Sequence, residues 1–306
     1  MSKIYTALLS LCIFMNQAIA QDTFPLYKDK IPNSKTTPDE EIVEEGDITI
    51  VRKITIPTIR YYPAPEEIAT GTAVVIYPGG GYSINAISHE GYDVAERFNE
   101  IGVTAFVVKY RIPEDATMHD KEIGPLQDAQ QAIKIVREQA ATYKINPNRI
   151  GVMGFSAGGH LASTAGTHFR RSTISNEKNI NLRPDFMILI YPVISFQDEI
   201  GHLGSRERLI GKNPSKDKIA LYSNELQVTT ETPPTFLVHA SDDHVVLSAN
   251  SIKFYESLLK NKIEAEMHLY QRGGHGFGLN NKTTKDEWFK RCQHWMDSNG
   301  WLRIQK

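Results

Sequence analysis

Cysteine is nearly missing from this chain, with two in 306 residues, Cys12 and Cys292. Removal of an N-terminal leader, argued below, leaves Cys292 alone, and then no intramolecular disulfide can form. Cys292 sits in a helical-looking C-terminal segment, where packing is its expected role. Excess charge of one sign is also absent: 34 Lys and Arg against 36 Asp and Glu give a formal charge of −2. That balance provides no electrostatic footprint for nucleic acid or for an anionic membrane surface. Long apolar runs are lacking, since the stretch at residues 4–15 falls short of the roughly 20 residues that span a bilayer. There is no internal repeat, no low-complexity tract and no histidine pair at the i, i+4 spacing of a helical metal site. Neither a metal nor an organic cofactor is expected.

What is present begins with Met1-Ser2-Lys3, the apolar stretch and Ala18-Ile19-Ala20. A charged start, a short apolar core and a small-x-small end make a secretory signal peptide over residues 1–20, cleaved after Ala20. The protein is therefore expected to be exported, to the periplasm or the outside, with no membrane span after cleavage. Residues 21–46 are rich in Pro, Lys, Asp and Glu without helical or strand period, and read as an extended surface arm. Residues 47–306 read as one domain. Its opening stretch, 47–62, alternates apolar and polar residues and is expected to form the antiparallel edge of a sheet.

Beyond residue 62 the pattern changes to near-continuous apolar runs at 73–77, 103–108, 150–153, 186–190 and 235–238, as suits strands buried on both faces. Helical segments lie between and after them, at 91–101, 126–143, 157–166, 247–261 and 285–299. Strands alternating with helices imply right-handed crossovers and a mostly parallel α/β sheet covered by helices on both faces. Residues 197–232 are polar and carry no apolar strand. A small cap over the site and a plain surface insertion fit that composition equally.

The chemistry starts at Gly154-Phe155-Ser156-Ala157-Gly158. This run follows the apolar strand at 150–153 and opens a helix of small residues, the strand, sharp turn and helix of a nucleophile elbow. Ser156 is the candidate nucleophile. A serine hydroxyl needs a base and an orienting acid, in the chain order Ser, Asp, His. Asp242-Asp243 follows the strand at 235–238, and His275 follows a further strand within Gly273-Gly274-His275-Gly276. Asp243 is preferred over Asp242 because Val246 then stands at the spacing usual for this kind of acid, and His275 is preferred over His160, His239, His244 and His268. The turn Pro78-Gly79-Gly80-Gly81-Tyr82 ends an early strand, so Gly80 and Gly81, with Ala157, are the candidate amide donors of an oxyanion hole.

Together these segments resemble the α/β-hydrolase superfamily over essentially the whole mature chain. They are similar to the esterases with an HGGG-type loop, although Pro78 stands where that group has histidine. Pro78-Gly79-Gly80-Gly81-Tyr82, Lys109-Tyr110-Arg111, Pro125-Leu126-Gln127-Asp128-Ala129 and His239-Ala240-Ser241-Asp242-Asp243 look like exported bacterial carbohydrate esterases of the acetylxylan-esterase-like and feruloyl-esterase-like kind. The resemblance implies a serine esterase without cofactor, acting on acetylated carbohydrate or small esters. A general short-chain carboxylesterase, a prolyl-oligopeptidase-like peptidase and an inactive binding protein are the alternatives. Tyr82 and Arg111 are candidate substrate-wall residues, with a structural role open for both, Arg111 as a partner of Asp128. Oligomeric state is not legible.

Overall fold

The computed structural model describes residues 22–304, so the signal-peptide expectation lies outside the described residues. Eleven strands are present among them: β1 Thr23–Pro25, β2 Ile42–Glu44, β3 Ile50–Arg52, β4 Thr58–Tyr62, β5 Ala73–Tyr77, β6 Ile84–Asn85, β7 Thr104–Lys109, β8 Ile150–Phe155, β9 Met187–Ile190, β10 Thr235–Ala240 and β11 Ala265–Tyr270. Eight of them form one sheet in the order β1-β4-β7-β5-β8-β9-β10-β11. From β7 to β11 neighbours run parallel, while β4 pairs antiparallel with β7 and β1 antiparallel with β4.

The central strands are apolar throughout because both faces are covered. Alternate side chains point to opposite faces, and the core divides accordingly. Val75, Tyr77, Val152 and Leu237 meet Leu126, Ile133, Leu161 and Leu258, carried by α2 Gly124–Glu138, α3 Ser156–Thr167 and α6 Ala249–Lys260. Val74, Ile76, Met153 and Phe155 meet Phe98, Trp288 and Trp295 on the other face, from α1 Asp93–Asn99 and α7 Trp288–Ser298. Cys292 is fully buried in that second layer.

The antiparallel N-terminal edge is present, and two details of this region go beyond the expectation. The alternation at 47–62 belongs to two sheets, because the chain turns at Lys53 with φ 51°. Of its two strands only β4 enters the main sheet, and β3 joins β2 and β6 in a separate three-stranded sheet. The arm, for its part, is more than a surface segment. It supplies β1, the outermost strand, with Phe24 opposite Ile59, and Leu26 is buried in the core. Strands of three residues are too short to show a period, which hid them in the sequence.

Residues 197–232 carry α4 Leu203–Ile210, α5 Lys216–Leu221 and a tight turn at Asn224–Leu226. Asn224 Nδ2 donates to Ser163 Oγ at 2.8 Å and Thr164 Oγ1 at 3.0 Å on α3, and Ser257 Oγ of α6 donates to the Glu225 carbonyl at 2.7 Å. These bonds lay the segment along two core helices. Among the described residues no helix is long and apolar enough to cross a membrane.

Candidate active site

Strand β8 ends at Phe155, and α3 begins at once with Ser156. The turn between them is so sharp that Ser156 takes φ 50°, a left-handed conformation that costs a non-glycine residue about 1–3 kcal/mol. The flanking glycines follow from close approach. A Cβ on Gly154 would collide with the Gly158 carbonyl, and one on Gly158 with the carbonyls of Tyr77 and Pro78. The serine carbonyl accepts from Val193 N at 2.9 Å, beyond the end of β9.

Three side chains from three strand ends converge here. Ser156 Oγ lies 2.9 Å from His275 Nε2, and His275 Nδ1 lies 2.7 Å from Asp243 Oδ2. Since Asp243 can only accept when ionised, the imidazole carries its proton on Nδ1 and leaves Nε2 free to accept from the serine hydroxyl. Asp243 is itself fixed: its Oδ1 accepts from the backbone N–H of Val245 and of Val246, both at 2.9 Å. Burial alone would raise its carboxyl, but the close His239 ring, the hydrogen bond from His275 and the Val246 amide hold it well below the usual carboxylate range. Asp242 has another task, accepting from Gly274 N at 2.8 Å and so anchoring the histidine loop.

The other histidines are engaged elsewhere. His160 contacts Tyr82 and Tyr222, His268 pairs with Glu266 at 2.7 Å, and His244 is exposed. His239 sits behind the acid, its Nε2 2.8 Å from the Val246 carbonyl and 3.3 Å from Asp243 Oδ2.

The glycine loop stands against the serine, since a Cβ on Gly79 would reach to 3.0 Å from Ser156 Cβ. Gly80 and Gly81 take φ 131° and 62°, and the Gly80 carbonyl accepts from Ser83 N at 2.9 Å and Ile84 N at 3.2 Å, closing the turn. A Cβ on Gly81 would meet no heavy atom within 4 Å, so this side of the loop is open. Ala157 lies in the first turn of α3, where amides have no intrahelical acceptor. The glycine loop thus meets the serine at Gly79, with Gly80 and Gly81 following in the same turn, and Ala157 is the next residue of the chain after Ser156.

Tyr82 and Arg111 are not wall residues, and both expectations are corrected. Tyr82 is 1% exposed; its φ of 58° turns the side chain into the protein, where Oη meets His160 Nδ1 at 2.9 Å. Arg111 is fully buried. Its Nη2 donates to Asp128 Oδ1 at 2.8 Å, and its Nη1 donates to the Pro32 carbonyl at 2.8 Å and Ser34 Oγ at 3.0 Å. The guanidinium therefore joins the arm to α2.

Sequence reasoning missed three neighbours of the site. Glu90, in the wide helical turn Ser88–Tyr92, accepts from Gly79 N at 2.8 Å. Tyr191 packs its ring edge-on to His275 with centroids 5.0 Å apart. His202 caps α4, and burial together with the nearby His275 lowers its pKa, against the opposing pull of Asp243. Tyr191 follows an apolar strand directly, as Ser156 does, and that position was the available signal; nothing marked Glu90. Among the described residues no cluster of three or more His, Cys, Asp or Glu could hold a metal ion.

A family model described as BD-FAE matches residues 60–258, from within β4 to within α6. That span includes the glycine loop, Ser156 and Asp243. An acetylxylan esterase of Xylanibacter ruminicola is 38% identical over 242 residues, 78% of this chain and 46% of that protein. Endo-1,4-beta-xylanase B of Butyrivibrio fibrisolvens is 34% identical over 238 residues, 76% of this chain and 36% of that protein. The chain spans less than half the length of these two curated relatives. Among solved structures, an acetyl ester-xyloside bifunctional hydrolase from Caldicellulosiruptor lactoaceticus superposes with a TM-score of 0.79 at 36% identity, over 93% of this chain and 97% of that one. In sequence and in architecture, the chain belongs to the BD-FAE family and carries the α/β-hydrolase fold.

Proposed function

We propose that this protein is an exported serine esterase that removes acetyl groups from plant-type polysaccharides such as xylan through an acyl-enzyme. The observation that carries the reading is the hydrogen-bonded series Ser156, His275 and Asp243 set beside a glycine loop. The acetylxylan esterase and acetyl ester-xyloside hydrolase relatives support the acetyl substrate, and the leader pattern supports export.

In this mechanism His275 Nε2 takes the Ser156 proton as Oγ attacks the ester carbonyl carbon. Asp243, hydrogen-bonded to Nδ1, stabilises the imidazolium and keeps its orientation. The charge on the carbonyl oxygen is met by the amides of Gly80, Gly81 and Ala157. Collapse expels the sugar alkoxide, which leaves with the proton from His275, and the acetyl group stays on Ser156. Water then gives a proton to His275 and attacks the acyl carbon; acetate departs and Oγ recovers its proton.

The test is acetate release from acetylated xylan and acetylated pectin, measured beside hydrolysis of a short aryl acetate. Release from a glycan that disappears in Ser156→Ala supports the reading. Cleavage of the aryl ester with no acetate from any glycan would replace it with a general short-chain carboxylesterase.

A further inference from the structure

Glu90 is 3% exposed, and a buried carboxylate is costly unless donors surround it. Its two oxygens take donors from separate parts of the chain. Oε2 accepts the Gly79 N–H at 2.8 Å, and Oε1 accepts the Tyr191 hydroxyl at 2.8 Å. The Tyr191 oxygen accepts in turn from the Gly278 N–H at 2.9 Å, and the Gly278 carbonyl accepts from Trp288 Nε1 at 2.9 Å. An unbroken series of hydrogen bonds thus runs from the loop in front of Ser156 to the loop three residues past His275. His89 Nε2 stands 3.6 Å from Oε1, outside hydrogen-bond range.

Each end of this series needs an external hold. Gly79, Gly80 and Gly81 have no side chains, and Gly80 and Gly81 both lie at positive φ; the Gly79 and Gly80 carbonyls accept from Ala86 N at 3.0 Å and Ser83 N at 2.9 Å, and Glu90 holds the Gly79 N–H, where the chain enters that turn. The histidine loop is similarly glycine-rich, with Gly273, Gly274, Gly276 and Gly278 all at positive φ. Between the loops Tyr191 is rigid: its N–H donates to the Val238 carbonyl at 2.7 Å, its φ is 36°, and its ring packs on His275 and Phe277. Burial holds the Tyr191 hydroxyl protonated, so it stays a donor to Glu90.

We propose that Glu90 and Tyr191 form a positioning brace that sets the glycine-loop amides and the His275 ring in one common register. The proposal rests on the reading of Ser156 as nucleophile. Neither residue touches the reacting atoms. The brace acts by keeping oxyanion donors and base aligned with each other, which is the alignment a transition state requires and a bound ester does not.

The experiment compares Glu90→Gln, Tyr191→Phe, the double variant and Ser156→Ala by kcat and KM on a short aryl acetate, affinity for an aryl boronic acid that forms a tetrahedral adduct, and thermal unfolding. Assays run well below every melting temperature. Glu90→Gln is expected to lower kcat on the order of 10–100-fold with KM within about 3-fold, and boronate affinity should fall in step with kcat/KM. Tyr191→Phe, which cuts the series between the two loops, should lower kcat about 10-fold. The double variant should lie within about 3-fold of Glu90→Gln, because one series is broken once. Single variants with kcat within about 2-fold of the parent, whatever their melting temperature, overturn the brace, as do losses that multiply fully in the double variant. Should Glu90→Gln not fold, Tyr191→Phe alone decides by the same kcat and boronate criteria. Hydrolysis that survives Ser156→Ala overturns the serine reading itself, whereas an inactive Ser156→Ala beside a fully active Glu90→Gln overturns only the brace.

Discussion

Tyr82 and His160 satisfy one another in a single arrangement. The His160 Nε2–H donates to the Tyr222 carbonyl at 2.8 Å, so Nδ1 is bare and accepts the Tyr82 hydroxyl at 2.9 Å. The ring also stacks on Phe196 with centroids 4.3 Å apart. Neutral histidine completes this arrangement, and protonation would cost the bond that Tyr82 donates to Nδ1 while charging a fully buried ring.

That pair predicts a pH dependence of stability. Burial, reduced in effect by the Tyr222 carbonyl, lowers the His160 pKa from 6.5 to about 4. Between these values the unfolded chain binds the proton and the folded one does not, so stability falls as pH drops from 6.5 to 4 and is level above 6.5. The contribution is about 3 kcal/mol. His168 and His202 are lowered too and act with the same sign. Urea unfolding at neutral and acid pH should show a smaller loss in His160→Gln than in the parent.

Tyr82→Phe removes the donor to His160 Nδ1 and should cost about 1–3 kcal/mol in urea unfolding. Its kcat and KM on an aryl acetate should stay within about 2-fold of the parent, because the side chain is buried against His160 and only the hydroxyl is removed. A selective rise in KM for acetylated xylan would return Tyr82 to the substrate wall.

Arg111→Met strands Asp128 as an unpaired charge with neither side chain exposed. The expected loss is about 3–5 kcal/mol. The bonds to Pro32 and Ser34 go with it, so limited proteolysis should cut the arm sooner. Turnover below the melting temperature should be nearly unchanged.

The two adjacent aspartates should separate cleanly. Asp243→Asn should lower kcat on the order of 10,000-fold by presenting the wrong hydrogen-bonding face to His275 Nδ1. Asp242→Asn keeps an oxygen for the Gly274 amide and should lose less than about 10-fold. Equal losses would contradict this division.

The sheet and the three converging side chains were legible because each side chain lies within five residues of a strand's C-terminal end, two of those strands being continuous apolar runs. Ser156 comes after β8, Asp243 after β10 and His275 after β11, and a parallel sheet sends such ends to one side. What stayed hidden depends on backbone hand or on very short pairings. The positive φ at Tyr82 reverses where its ring goes. Arg111 follows a strand end as well, but Asp128 on α2 draws it inward. Glu90 is the opposite case, a charged side chain in a turn that pattern reading assigns to solvent, held inside by donors 11 and 101 residues away.

β1 settles how the sheet stops. This three-residue strand ends in Pro25, which has no N–H to offer a neighbour. It covers β4, whose five residues would otherwise present a longer open ladder to any passing chain. A short, proline-ended border gives another molecule little to zip onto. Trimming the arm back past Leu26 would bare β4 as the border of the sheet, and the expected outcome is lower solubility of the concentrated protein.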